Sequence, residues 1–181
     1  FPEGEANSYI NLAANYLVLG EPERAKDHLL AAEGMLEGDA WFRWVYNIRL
    51  QAKFAEYWMA RGDLQRAATY IAASLELARS TKRRKHIAWA QKLLGDVAAM
   101  EERHEQAVHD YEAGLSALKD HPCPSVQWKI LLSLANSKES LHKSDEAYRC
   151  RALAQELMRR LAESISEGRL RTTFLRSKPA R

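Results

Sequence analysis

A small-residue signature returns along this chain with a period close to forty residues, and it constrains the fold more than any other feature. Gly20-Glu-Pro-Glu-Arg-Ala25, Gly62-Asp-Leu-Gln-Arg-Ala67, Glu102-Arg-His-Glu-Gln-Ala107 and His142-Lys-Ser-Asp-Glu-Ala147 set their alanines 42, 40 and 40 residues apart. A fixed period of this size marks a repeat architecture, in which each unit is one supersecondary element stacked on the next. Each signature follows one apolar, helix-periodic stretch and opens another, so each unit reads as a helical hairpin. Gly20 and Gly62 can take the left-handed conformation that ends a helix. Pro22 suits the first turn of the next helix, and Asp63 or Asp145 can cap or favour its start. The alanine lets two antiparallel helices approach closely. A larger residue at 25, 67, 107 or 147 is expected to cost about 1–3 kcal/mol.

The apolar spacing predicts eight helices at 4–19, 22–36, 40–61, 64–79, 83–101, 104–119, 125–141 and 144–166, with a short ninth over 169–175. Breaks fall at Glu37-Gly38-Asp39, Ser80-Thr81-Lys82 and His121-Pro122-Cys123-Pro124. No strand-like alternation of useful length interrupts them. One repeat domain over 1–181 is expected, with units near 4–36, 40–79, 83–119 and 125–166 and a cap and tail over 167–181.

Composition fits. The 181 residues are 46% hydrophobic and 28% charged, a soluble globular balance. No stretch reaches the roughly 20 apolar residues of a membrane span. The N-terminus lacks a signal peptide's basic and apolar regions and an initiator Met, which implies a piece of a longer protein. Two cysteines, Cys123 and Cys150, are too few for a disulfide framework and read as free thiols of a cytoplasmic protein. Residues 1–40 carry two basic and eight acidic side chains, against a net charge of +3 for the whole chain. The acidic start and basic remainder form an asymmetry that could matter for docking.

The sequence resembles the tetratricopeptide repeat family, a helix A, tight turn, helix B motif. Its first unit matches with Tyr9, Leu12, Ala13, Tyr16, Gly20, Ala25, Leu29 and Ala32. The second carries Phe54, Ala55, Trp58, Gly62, Ala67 and Ile71. The third has Leu94, Gly95, Ala107, Tyr111 and Gly114, with Ala98 in place of an aromatic. The fourth keeps Leu134, Ala135, Ala147 and Ala154, while Lys138 and Arg151 depart from the pattern. The period exceeds the family's, about 34 residues. Such long repeats resemble those of large bacterial signalling proteins and maltose-regulator-like transcription activators. The resemblance implies an all-α, right-handed α-α superhelix of four hairpins. Leu170, Phe174 and Leu175 would form a capping helix over the last hairpin, which would otherwise expose an apolar face.

No constellation of residues points to chemistry. His104 and His109 stand five apart on a helix, about 140° around it, and cannot easily share a metal. No phosphate loop or nucleophile elbow occurs, and no Cys, His or carboxylate cluster has metal-ligand spacing. Cys123, between two prolines, has only His121 nearby as a base, and an ordinary loop explains both. The basic run Arg79-Ser-Thr-Lys-Arg-Arg-Lys85-His86 reads as a solvated linker complementing a helix C-terminus. Without interleaved aromatics it does not point to nucleic acid. The basic tail at Arg169, Arg171, Arg176, Lys178 and Arg181 reads the same way. Aromatics crowd helix three, where Trp41 and Trp44 are the ones expected to protrude.

The resemblance implies a concave groove lined by Asn7, Asn11 and Ala14, then Arg49, Lys53 and Glu56, then Trp89, Lys92 and Asp96, then Lys129, Ser133 and Asn136. This mixed polar face suits an extended peptide or a partner helix. The carboxylate clamp of some family members is absent, since Ile10 and Ala14 occupy its first two positions. The leading expectation is a non-catalytic module binding a peptide or protein, within a larger bacterial regulator, with no metal or cofactor. The alternatives are a small-molecule-sensing domain, with a pocket near Trp89 and Arg49, and self-assembly of acidic against basic ends.

Overall fold

The computed structural model describes residues 2–37 and 43–176. Every regular element among them is an α-helix, nine in chain order: α1 (Pro2–Val18), α2 (Pro22–Met35), α3 (Arg43–Ala60), α4 (Leu64–Ser80), α5 (Arg84–Met100), α6 (His104–Ala117), α7 (Pro124–Ser140), α8 (Ser144–Glu163) and α9 (Gly168–Arg176). The expected helices fall within a few residues of these. The expected start of helix three at 40, with Gly38, Asp39, Trp41 and Phe42, lies outside the described residues, as do Lys178 and Arg181.

The turns explain the period. Gly20 and Gly62 sit at φ +75° and +76°. In each turn the N–H of this residue and that of its successor reach back to the last turn of the preceding helix. Gly20 N–H donates to Leu17 O at 3.2 Å and Glu21 N–H to Tyr16 O at 2.9 Å. Gly62 and Asp63 do the same with Met59 and Trp58. This paired bonding satisfies carbonyls that a helix end would leave without partners. Lys82, Glu102 and His142 repeat the pattern without glycine, at φ 54°, 60° and 59°. After the turns, Asp63 caps α4 by accepting from Arg66 N–H at 2.9 Å. Pro22 opens α2, while Asp145 lies in the first turn of α8 without capping it. The four signature alanines, Ala25, Ala67, Ala107 and Ala147, are completely buried.

The chain divides into two compact units, Phe1–Leu93 and Leu94–Arg181, with the boundary inside α5. In the first, α1 pairs with α2 and α3 with α4, and α3 packs on both helices of the first hairpin. Its core joins Ile10, Ala13, Leu29, Ala32, Leu50, Phe54 and Tyr57, with Tyr9, Tyr16 and Trp58 against the edge. In the second, α7 packs on both α6 and α8, and α9 lies against α8. The expected cap is smaller than its sequence suggested. Phe174 meets Trp128 edge-on at 6.4 Å, but Leu170 and Leu175 remain 55% and 48% exposed. Nine residues give α9 too short an apolar face to bury both leucines.

Candidate interaction site

In the first unit, one face gathers most of the polar residues expected in the groove. Asn7 and Asn11 stand four apart on α1, and Arg49, Lys53 and Glu56 follow one another on α3 at spacings of four and three, so each set projects on one side. Arg49 spans the two helices. Its Nη1 donates to Asn7 Oδ1, and its Nη2 donates to Asn11 Oδ1 at 2.7 Å. Burial lowers the guanidinium's pKa from its ordinary value.

Next along α3, Lys53 Nζ donates to both Glu56 oxygens at 2.7 Å. Trp89 of α5 donates from its indole Nε1 to Glu56 Oε1 at 3.0 Å. The ammonium groups of Lys53 and Lys92 lie 5.5 and 5.4 Å from the Trp89 ring centre. Trp89 is therefore held as a strut between α3 and α5 rather than standing as a bare aromatic. At the start of the same helices, Arg83 stacks at 4.7 Å on Trp44, which is 51% exposed as expected. His86, half-buried nearby, has its pKa lowered to about 4, by burial first and then by Lys85, Arg83 and Arg49.

The remaining groove positions belong to the second unit. Asp96 accepts from the Tyr111 hydroxyl at 2.9 Å, and Ser133 is half-buried on α7. Burial, and then the Asp96 charge, raise the Tyr111 pKa far above the ordinary tyrosine range. Lys129 Nζ lies 5.5 Å from the Trp128 ring centre, and Asn136 is exposed on α7.

One cluster escaped sequence reasoning. Lys138, nearly buried on α7, reaches Glu112 of α6 at 3.1 Å and Glu146 of α8 at 2.7 Å. Its pKa is raised, chiefly by the hydrogen bond to Glu146. The only signal was that Lys138 departs from its repeat pattern, and the two carboxylates lie on other helices. His109 is exposed beside Asp110 at 3.4 Å, and Cys123 Sγ lies 3.5 Å from Ser125 Oγ. Among the described residues no group of His, Cys, Asp and Glu could hold a metal ion, and no helix is long and apolar enough to cross a membrane.

No protein-family profile matches the sequence, and no curated protein sequence matches it. Solved structures do resemble the fold. RapI in its apo form superposes with a TM-score of 0.67 at 13% identity, over 96% of this chain and 46% of RapI. BtubC from P. vanneervenii superposes with a TM-score of 0.64 at 17% identity, over 93% of this chain and 68% of BtubC. The chain thus spans less than half the length of RapI. At such identities the likeness shows the fold alone, an all-α arrangement of helical repeats.

Proposed function

We propose that this chain is a tetratricopeptide-type interaction module without catalytic activity, binding a peptide or protein segment along the polar face of α1, α3 and α5 in its first unit. The observation that carries this reading is the hydrogen-bonded strip Asn7–Arg49–Asn11 and Lys53–Glu56–Trp89. Side chains already fixed on rigid helices lose little conformational entropy when a partner arrives, which favours recognition of an extended surface. The long-repeat resemblance supports reading the module as part of a larger bacterial regulatory protein.

Peptide-library panning on the intact chain and on a Lys53→Glu, Trp89→Ala, Lys92→Glu variant tests the reading, with circular dichroism checking that the variant stays helical. Peptides enriched on the original and lost on the variant support it. Enrichment on neither, together with a thermal shift caused by a metabolite, would favour the small-molecule alternative.

A further inference from the structure

Arg49 differs from Lys53, the next cation along α3, in what it touches. Lys53 has a carboxylate, Glu56, at 2.7 Å. Both hydrogen bonds of Arg49 go to neutral carboxamide oxygens, those of Asn7 and Asn11. Among the described residues it forms no ion pair, and Glu56, about two turns further along α3, is taken up by Lys53 and Trp89. A guanidinium has five N–H donors. The two asparagines engage two of them and fix the plane of the fork, and Arg49 is only partly buried, so the others remain within reach. The surroundings add positive charge: Arg49, Arg83 and Lys85 all act on His86, and each disfavours its protonation.

A partly desolvated cation held by neutral groups retains its full charge, and the least costly way to compensate it is an anion brought from outside. We propose that Arg49, braced by Asn7 and Asn11, is the seat for an acidic side chain of the bound segment, so that the module selects peptides with a glutamate or aspartate at one fixed position. A planar fork carrying one charge matches a single carboxylate, which can accept two parallel N–H bonds. The asparagine amide N–H groups, whose oxygens are already used by Arg49, supply further donors beside it. This inference rests on the peptide-binding reading above and assigns that face its chemical preference.

The test uses the full chain and short peptides, acetylated and amidated at their ends so that side chains are the only carboxylates. Peptides selected by panning are resynthesised with each acidic residue changed to its amide, and binding is followed by fluorescence anisotropy. One acidic position should stand out, its amide binding about tenfold or more weakly, as expected for a charge-assisted bidentate contact. Asn7→Asp then places a carboxylate against Arg49 from within. That variant should melt no lower than the original, because it supplies the missing counter-charge, yet it should lose the acid-over-amide preference. Arg49→Gln should lose it too, and if Arg49→Gln fails to fold, Asn7→Asp alone decides. Peptides that bind with no preference for acid over amide, or a preference that survives Asn7→Asp, would overturn this inference and leave the binding face standing. Failure of every peptide to bind would overturn both.

Discussion

The ring of Tyr111 occupies the space that a side chain at Gly95 would need. A methyl group there would come within 2.5 Å of the ring's Cε1 and 2.6 Å of its Cδ1. Tyr111 is only 2% exposed and its hydroxyl is tied to Asp96 at 2.9 Å, so the ring has little freedom to retreat. Alanine would improve helix propensity by about 1 kcal/mol, but overpacking costs about 1–3 kcal/mol. Gly95→Ala should therefore destabilise the protein in urea unfolding, and Tyr111→Leu in the same chain should restore part of the loss.

The left-handed turns without glycine invite the opposite change. Glu102 and His142 are exposed and hold φ near +60°, a conformation that costs an L-residue about 1–2 kcal/mol. Glu102→Gly and His142→Gly should each raise stability, by about 0.5–1 kcal/mol once the greater chain entropy of glycine is deducted. Thermal melts of the single and double variants would show it, and equal or lower melting temperatures would count against the turn geometry.

Lys138 joins three helices through one ammonium group. Lys138→Met keeps the stem's volume and removes the charge. Its carboxylate partners are about half exposed and stay solvated, so the loss should be about 1–2 kcal/mol, below that for a fully buried pair. Adding Glu112→Gln and Glu146→Gln should cost little more, because the three groups act as one unit.

Acid should weaken the two units in different ranges. His86 has a pKa of about 4 when folded against 6.5 ordinarily, so the unfolded chain takes up the proton first. Stability is then complete above about pH 6.5 and falls as the pH drops toward 4. His86→Gln should flatten this part of the profile. In the second unit Glu139, Glu146 and Glu156 are held below their ordinary 4.5 by hydrogen bonds to Arg151, Lys138 and Arg159 respectively, Glu156 at about 2. Their contribution is present above about 4.5 and is lost on further acidification. Urea midpoints measured across this range should show two separable declines, the first missing in the histidine variant.

How far the sequence could be read depended on the distance over which each feature acts. The period, the turns at Gly20 and Gly62 and the buried alanines are local, so helix spacing and backbone conformation alone predicted them. The groove register implied by the resemblance put Asn7, Asn11 and Arg49 forward, and the structure joins the three by hydrogen bonds. The register could not show that the carboxamides turn their oxygens toward Arg49, since that depends on where α1 meets α3. Trp89 was expected as a groove position, and its contacts with Glu56 and Lys53 could not be read because they depend on where α5 meets α3. Lys138 stood out only as a departure, and its meaning needed the positions of α6 and α8. Leu170 and Leu175 were expected to be covered, but apolar character alone does not say how much surface a nine-residue helix can hide.

The recurring turn also bears on how such a chain can be lengthened or shortened by recombination. Its geometry resides in backbone bonding, and glycine, glutamate and histidine all support it. The turns therefore form interchangeable junctions: a crossover between the turn at Gly62 and that at Glu102 adds or removes one forty-residue period and leaves the alanines in step. A crossover of another length would set bulky residues where the hairpins need a methyl group. Selection on such a lineage would then act on whole repeats, leaving the polar face of each free to diverge toward its own partner.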